Sequence, residues 1–326
     1  MQKKTQHISA MFTGRVSPSG QDVIRTGKDW ALVLDGHGLY GLQVAEAVAD
    51  MAEGLLKDGK CLYSEALEGA ADVALAGKPM PLPGAALGGT TFTAIQIRAQ
   101  EIEFQWVGDS AGYLIIQDDR PKMWRTTNHD PTNASEFARI RSCGGICVYH
   151  PKRQPVFDES GQRIGYDTEP AALALKDYWT AKDALDLDPQ DADLQSRVVE
   201  CKRAYDRAGP KPCAFQSFVK KNVSGEFATY FVSPLLELAV TRAFGDTRAE
   251  KFGLSHELDR CTISISGAHG VAFAASDGVH DCFTSEELIG LILNTQADDE
   301  LWEIFTSRAK SLFPKPDDIS FVRRYF

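Results

Sequence analysis

The sequence predicts an α+β domain built in layers, with two strand-rich halves and helices between them. Three observations predict it. Short apolar runs with alternating side chains, such as Ile102, Phe104 and Trp106, mark strands in both halves. In between, the apolar period becomes helical, as in Leu42, Ala45, Val48, Ala52 and Leu55. Finally, four acidic turns stand at the edges of strand-like segments, the densest being Asp35-Gly36-His37-Gly38 after Trp30-Ala31-Leu32-Val33-Leu34.

Taken in order, the segment before Gly20 and the residues around Ile24 to Leu34 read as strands joined by the Ser17-Pro18-Ser19-Gly20 turn. A helix follows Gly41 and ends near Gly59, and a second runs from Ser64 to Ala76. The stretch Gly77-Lys78-Pro79-Met80-Pro81-Leu82-Pro83-Gly84 is a loop, since its prolines cannot donate to a helix or sheet. Strands at Thr90 to Ile97, Glu101 to Val107 and Gly112 to Ile116 read as a meander with one face in the core. Ala134, Phe137, Ala138 and Ile140 mark a helix ending at Gly144-Gly145.

Residues from about 150 to 233 read as an elaboration on a single domain spanning 1–326. Their one amphipathic helix carries Leu194, Val198, Cys201 and Tyr205, and Gly209-Pro210 stops it. Cys261 to Ser266 and Val271 to Ser276 read as a hairpin around Gly267-Ala268-His269-Gly270. Helices from Ser285 and from Asp298 to Ser311 follow, and a last strand covers Ile319 to Val322, leaving no regulatory tail.

The totals exclude several classes. A formal charge of -10 disfavours a nucleic-acid or anionic-membrane binder. No segment approaches the roughly 18 apolar residues of a membrane span. Met1 to Ala10 lacks the apolar stretch of a secretory signal. Seven scattered cysteines make a poor disulfide framework, and Cys143 and Cys147 have no second ligand pair for zinc. A reducing compartment, cytoplasmic or nuclear, and a monomer are expected, with the cysteines as small core fillers.

The chemistry sits in the acidic turns. Gly108-Asp109-Ser110, Ser276-Asp277-Gly278 with Asp281, and Asp317-Asp318-Ile319-Ser320 repeat the plan of Asp35-Gly36. One such turn alone is most simply a cap or turn residue; four at strand edges suggest a shared divalent-cation centre. An almost all-aspartate set suits Mg2+ or Mn2+, whereas Zn2+ would recruit histidine or cysteine. Asp35 is the natural bridge between two ions, with the Gly36 carbonyl beside it, and His37 suits general acid duty better than ligation.

Ordered segments over nearly the whole chain resemble the metal-dependent serine/threonine protein phosphatases of type 2C. They are Gln21-Asp22, Val33-Leu34-Asp35-Gly36-His37-Gly38, Gly89-Thr90-Thr91 and Trp106-Val107-Gly108-Asp109-Ser110. Further on come Glu136-Phe137-Ala138-Arg139-Ile140 with Gly144-Gly145, Leu238 to Asp246, Ala275 to Asp281, and Asp317 to Val322. The resemblance implies a four-layer α-β-β-α sandwich, two antiparallel sheets flanked by helices, with the metals in a cleft at one end. It implies hydrolysis of phosphoserine and phosphothreonine in a phosphoprotein substrate by hydroxide formed at two Mg2+ or Mn2+ ions, with His37 as general acid. By the same resemblance Asp35 bridges both ions, Asp277 and Asp317 hold one, and Asp22 and the Gly36 carbonyl serve the other. Asp109 and Asp281 match a third, weaker site with Asp277, and Asp109 is a candidate to orient His37.

Three departures bear on this. The residue before Asp22 is Gln21, where the family has a glutamate. Ser17 stands at the position of a phosphate-binding arginine, leaving Arg15, and less directly Arg25, as the replacement. The stretch from Gly145 to Leu238 is long and poorly matched; in the family this zone holds a flap, and Lys211, Lys220 and Lys221 there are read as a solvated face. Arg242 and Asp246 are read as a structural pair locking a loop. The competing reading is a catalytically weak phosphatase-like binding or regulatory protein. An aspartyl-phosphate hydrolase is disfavoured because no second acid stands next to Asp35.

Overall fold

Trp30-Ala31-Leu32-Val33-Leu34 is apolar at every position because both of its faces are covered. Trp30, Leu32 and Leu34 pack with helical Val44, Ala45, Val48, Ala52 and Leu67, while Ala31 and Val33 join Ile95, Phe104, Leu114, Ala272 and Val322. A third cluster holds Tyr113, Ile115, Phe273 and Phe321 with helical Leu288, Ile292, Leu301 and Phe305. Three cores separated by two sheets define four layers. The computed structural model describes residues 11–18, 20–79, 86–118, 120–131, 133–148, 155–157, 163–166, 181, 184–185, 188, 190–207, 230–233, 236–312 and 316–326.

The first sheet contains β2 (Val23–Thr26), β3 (Trp30–Leu34), β6 (Phe92–Arg98), β7 (Glu101–Val107) and β16 (Asp259–Ser264), in the order β16-β7-β6-β3-β2. The second contains β1 (Thr13–Arg15), β8 (Ala111–Ile116), β9 (Lys122–Arg125), β17 (Gly270–Ala275) and β18 (Phe321–Tyr325), in the order β1-β18-β17-β8-β9. Both are antiparallel throughout. Three short strands, β4 (Gly36–His37), β5 (Gly89–Thr90) and β15 (Phe244–Gly245), pair side by side. Outside the sandwich, β10 (Ile146–Val148) pairs with β13 (Tyr230–Ser233), which pairs with β14 (Leu236–Leu238), and β11 (Pro155–Phe157) pairs with β12 (Arg163–Tyr166).

Helices α1 (Gly41–Lys57) and α2 (Ser64–Leu75) cover the first sheet; α3 is Ala134–Ser142 and α4 is Ala192–Arg207. After the single turn α5 (Asp277–His280), helices α6 (Ser285–Asn294) and α7 (Asp298–Leu312) cover the second sheet. A full capping box, Thr284 with Glu287, starts α6 and satisfies two end amides at once. Arg323 is buried and ties β18 to the α6–α7 junction, donating to Asp298, to the Thr295 carbonyl and to the Gln296 carbonyl.

The elements match the sequence reading more closely than their connections do. The hairpin expected around Gly267 is absent: β16 pairs with β7 in one sheet and β17 with β8 and β18 in the other. The meander also breaks, because β6 and β7 are neighbours but β8 crosses to the second sheet at Gly108-Asp109-Ser110. Likewise β1 and β2 lie in different sheets on either side of the Ser17–Gly20 turn. Alternation reports that a strand has a buried face, and strands of both sheets face the same central core, so period alone does not say which sheet a strand joins. Of the cysteines whose exposure is described, only Cys282 is buried, while Cys61 and Cys143 are exposed, so the core-filler reading fails for these two. In α4, Leu194, Val198 and Cys201 form its less exposed stripe. Residues 80–84, Gly209-Pro210, Lys211, Cys213, Lys220 and Lys221 lie outside the described residues.

Candidate metal centre

Strand register gathers the acidic turns at one end of the sandwich. In the first sheet Val23 lies opposite Leu34, so Asp22 enters β2 beside the point where Asp35 leaves β3. Phe92 lies opposite Val107, which sets Thr91 next to Gly108 and Asp109. In the second sheet Ala275 is flanked by Ala111 and Phe321, so Asp277 follows between Ser110 and Ser320. The Gly89-Thr90-Thr91 motif, to which the sequence reading attached no role, clamps Asp35. The Thr91 amide donates to the Asp35 carbonyl at 2.9 Å, and the Asp35 amide donates to Thr91 Oγ1 at 3.0 Å.

Further hydrogen bonds fix the strand ends here, within and between the two sheets. Thr91 Oγ1 and Ser110 Oγ are 2.7 Å apart. The Gln21 amide donates to Asp318 Oδ2 at 2.7 Å, and the Ser320 amide donates to Ser276 Oγ at 3.0 Å. Ser17 serves the same purpose, accepting from the Ile319 amide at 2.9 Å. Gly278 passes so close to the Asp318 carbonyl that a Cβ there would overlap it.

The field at this end is strongly negative. Burial is the largest cause raising the Asp35 carboxyl well above the usual range, and the next four are the charges of Asp22, Asp277, Asp317 and Asp109. Asp35 is partly exposed as a residue, yet its carboxyl is closely enough surrounded for desolvation to lead. Asp22, only 5% exposed, is pushed up to about 7, first by burial and then by Asp318 and Asp277, against hydrogen bonding from Ser320 and Ser276. Those hydroxyl contacts are loose: neither Asp22 oxygen has a hydrogen bond of normal geometry. Asp281 is 9% exposed, and its amide donates to the Asp277 carbonyl at 2.8 Å. Asp317 is exposed at the rim.

This arrangement fits hard divalent cations. Buried carboxylate oxygens without hydrogen-bond donors need positive charge, and an oxygen-only donor set matches Mg2+ or Mn2+. Among the described residues, the one trio whose donor atoms all lie within 4.8 Å is Glu68, Glu250 and His256. Sequence reasoning missed this second set, because its members come from α2 and from the turn after Asp246 and share no motif.

His37 does not reach its expected partner. Its Nε2 lies 2.5 Å from Asp246 Oδ2, so Asp246, rather than Asp109, holds the imidazole. Asp246 therefore does not pair with Arg242. It is fully buried, adopts a left-handed backbone with φ of 51°, and its amide donates to the Gly88 carbonyl at 3.1 Å. A Cβ at Gly89 would overlap both Asp246 Oδ2 and His37 Nε2 and push the pair out of place. The signal was present in the Gly245-Asp246 motif, but only the pairing of β4, β5 and β15 brings it to His37.

Arg242 instead anchors a separate network. It donates to Glu136 at 2.8 Å and to Asp259 at 2.9 Å, and Arg139 also pairs with Glu136. Burial would raise Glu136, but hydrogen bonds from Arg242 and Thr241 and the nearby arginine charges hold it at about 2. Asp259 is held near 2, chiefly by the His129 hydrogen bond. His129 in turn accepts from the Gly108 amide at 3.1 Å, so the network buttresses the turn that carries Asp109.

The arginines expected to replace the missing phosphate ligand both have partners on the surface. Arg15 is paired with Asp299 at the start of α7, and Arg25 with Asp50 and Glu53 on α1. A strand-borne arginine without an acidic neighbour in the sequence gives no hint that a distant helix has claimed it. Gln21 donates through Nε2 to the Gly38 carbonyl at 3.2 Å, bracing the turn that carries Gly36 and His37.

Two antiparallel sheets with flanking helices carry a group of acids at one end. The sequence profile described as "Protein phosphatase 2C" matches residues 23–153 and 217–311, and the chain belongs to that family. Its fold is similar to the serine-threonine phosphatase 2C from Toxoplasma gondii, with a TM-score of 0.55, 14% identity, and coverage of 98% of this chain and 96% of that one. It is also similar to a Caenorhabditis elegans sex determining protein, with a TM-score of 0.52, 16% identity, and coverage of 96% of this chain and 64% of that one. No curated protein matches the sequence. Among the described residues, no helix is long and apolar enough to cross a membrane.

Proposed function

We propose that this phosphatase hydrolyses phosphoserine and phosphothreonine in proteins and requires two Mg2+ or Mn2+ ions held at the acidic end of the sandwich. The observation that carries the reading is the crowd of carboxylates around Asp35, whose strongest electrostatic influences are all negative. Asp35 would bridge the ions, Asp277 and Asp317 would hold one, and Asp22 and the Gly36 carbonyl would serve the other. Asp109 and Asp281, with Asp277, are the candidates for a third. When bound, such ions offset phosphoryl charge and lower the pKa of an attacking water.

The protein's own groups do the rest. Thr90 and Thr91 hold the Asp35 backbone, so its carboxylate keeps its aim. His37 would hand a proton to the leaving serine or threonine oxygen, with Asp246 fixing the orientation of its ring. Arg15 and Arg25, the candidates to grip phosphate, each have an exposed carboxylate partner that a phosphate would have to displace. The departures at Gln21 and Ser17 leave one alternative to be tested: a phosphatase-like binding or regulatory protein with weak turnover. For the region near 150–233, an elaborated flap on a single domain is supported by the family profile, which leaves 154–216 unmatched. A monomer in the cytoplasm or nucleus completes the proposal.

One titration separates the two readings. Hydrolysis of a phosphothreonine peptide should rise with added Mn2+ or Mg2+ and fall at least about 10³-fold in Asp35→Asn. A metal-independent trace, equal in wild type and variant, would leave the binding protein as the answer.

A further inference from the structure

Behind the His37–Asp246 pair lies a second group of possible ligands that the proposed reaction does not use. Glu68 comes from α2, while Glu250 and His256 come from the segment between β15 and β16. Their donor atoms all lie within 4.8 Å of one another. His256 Nδ1 is 3.1 Å from Glu250 Oε1. Two ligands each about 2.0–2.1 Å from one tetrahedral ion stand roughly 3.4 Å apart, so this pair is already close to coordinating distance.

Acids near a surface histidine are common, and alone they would carry nothing. The independent observation is Glu68. It is only 6% exposed, its Oε1 is buried with no hydrogen-bond partner, and its Oε2 takes just the Gly245 amide at 3.0 Å. Burial pushes this carboxyl up to about 8 despite that amide, with Asp72, Glu250 and Asp246 adding negative field. A carboxyl so placed keeps its own proton near neutral pH, and its unpartnered Oε1, facing another carboxylate and an imidazole, is where a divalent cation would replace that proton.

We propose that Glu68, Glu250 and His256 form a separate divalent-cation site that prefers Zn2+ to Mg2+. Preference follows from the ligands: an imidazole with two carboxylates suits Zn2+, and three protein ligands leave a fourth position for water. Mg2+ dehydrates reluctantly and takes oxygen ligands in an octahedral shell, which a buried Glu68 beside a histidine does not offer. The site is wired to the proposed general acid. Glu68 holds the Gly245 amide, and the next residue, Asp246, holds His37. Occupancy would draw Glu68 toward the ion and shift the Gly245-Asp246 turn, so bound Zn2+ tunes the proton donor without touching substrate.

The test is a Zn2+ titration of the full chain by calorimetry, in excess Mg2+, with bound zinc counted by elemental analysis after dialysis. Wild type should retain one more equivalent of zinc than either Glu250→Gln or His256→Ala, and each variant should weaken the extra binding at least tenfold. Both side chains reach the surface, and E250Q preserves shape, so a folding defect in one variant leaves the other to decide. A Mg2+ titration should not distinguish the three proteins. Equal zinc stoichiometry and affinity in wild type and both variants overturns the site, whatever the phosphatase assay shows. Loss of activity in Asp35→Asn with the extra zinc retained would show the two sites to be independent.

Discussion

Two groups of carboxylates meet at the Gly108–Asp109 turn and are displaced in opposite directions. On one side, Asp22 is raised to about 7 and Asp35 well above its usual range. On the other, Glu136 and Asp259 are held near 2. Burial works against the charged form in both places, and Glu136 itself is only 1% exposed. The difference is supply of donors and positive charge: Arg242 and Arg139 face Glu136, Arg242 and the His129 ring N–H face Asp259, while Asp35 faces more aspartates. The fold thus completes one acidic cluster internally and leaves the other to be completed by something that binds. That contrast is the best physical argument for a cation-dependent site here.

The largest effect should come from breaking the completed cluster. Glu136→Gln leaves Arg242 and Arg139 without their shared carboxylate, and breaking a buried pair of this kind costs about 3–5 kcal/mol. Its depressed carboxyl contributes stability that is present above about 4.5 and is lost as pH falls through about 2, so the cost should shrink in acid. Urea unfolding at pH 7 and pH 3 checks both statements. A loss below 1 kcal/mol at pH 7 would mean that the network is ornamental.

The open cluster should behave with the reverse sign. The Asp22 carboxyl is raised from 3.8 to about 7, so its contribution is fully present below about 3.8 and is lost as pH rises through 7. In metal-free protein this amounts to at most about 4 kcal/mol. Asp22→Asn should flatten that decline, and added Mn2+ should abolish it in wild type, as read from thermal midpoints between pH 4 and 8. A metal-free protein that gains stability over the same range would contradict the comparison.

Asp246 sharpens the contrast, because it belongs to the paired kind while serving the open site. Asp246→Asn tolerates the left-handed backbone yet loses the charged partner of His37. We expect kcat to fall about 10- to 100-fold, with KM and Mn2+ affinity unchanged. A change in KM instead would mark a merely structural residue. The smallest effect is expected from Gln21→Glu, which adds one more charge beside Asp22. Mn2+ affinity should tighten by up to about tenfold, a gain of about 1.4 kcal/mol, measurable by calorimetry.

Much of the molecule was legible before any coordinates. The runs at Trp30–Leu34 and Glu101–Val107 and the helical period after Gly41 each describe local burial, and local burial is written in side-chain spacing. The acidic turns were equally visible, as short words at strand ends. Pairing was not: β16 and β17 looked like a hairpin and proved to belong to opposite sheets. Asp246 looked like half of an arginine pair and proved to hold His37, and Arg15 looked available and proved to be bound to Asp299. Composition and periodicity determined the elements, the layers and the acidic chemistry of this protein, because each residue's burial leaves its mark on its neighbours in the chain. Only tertiary structure decided which charges meet, since an ion pair between residues hundreds of positions apart depends on how sheets stack, which no local pattern records.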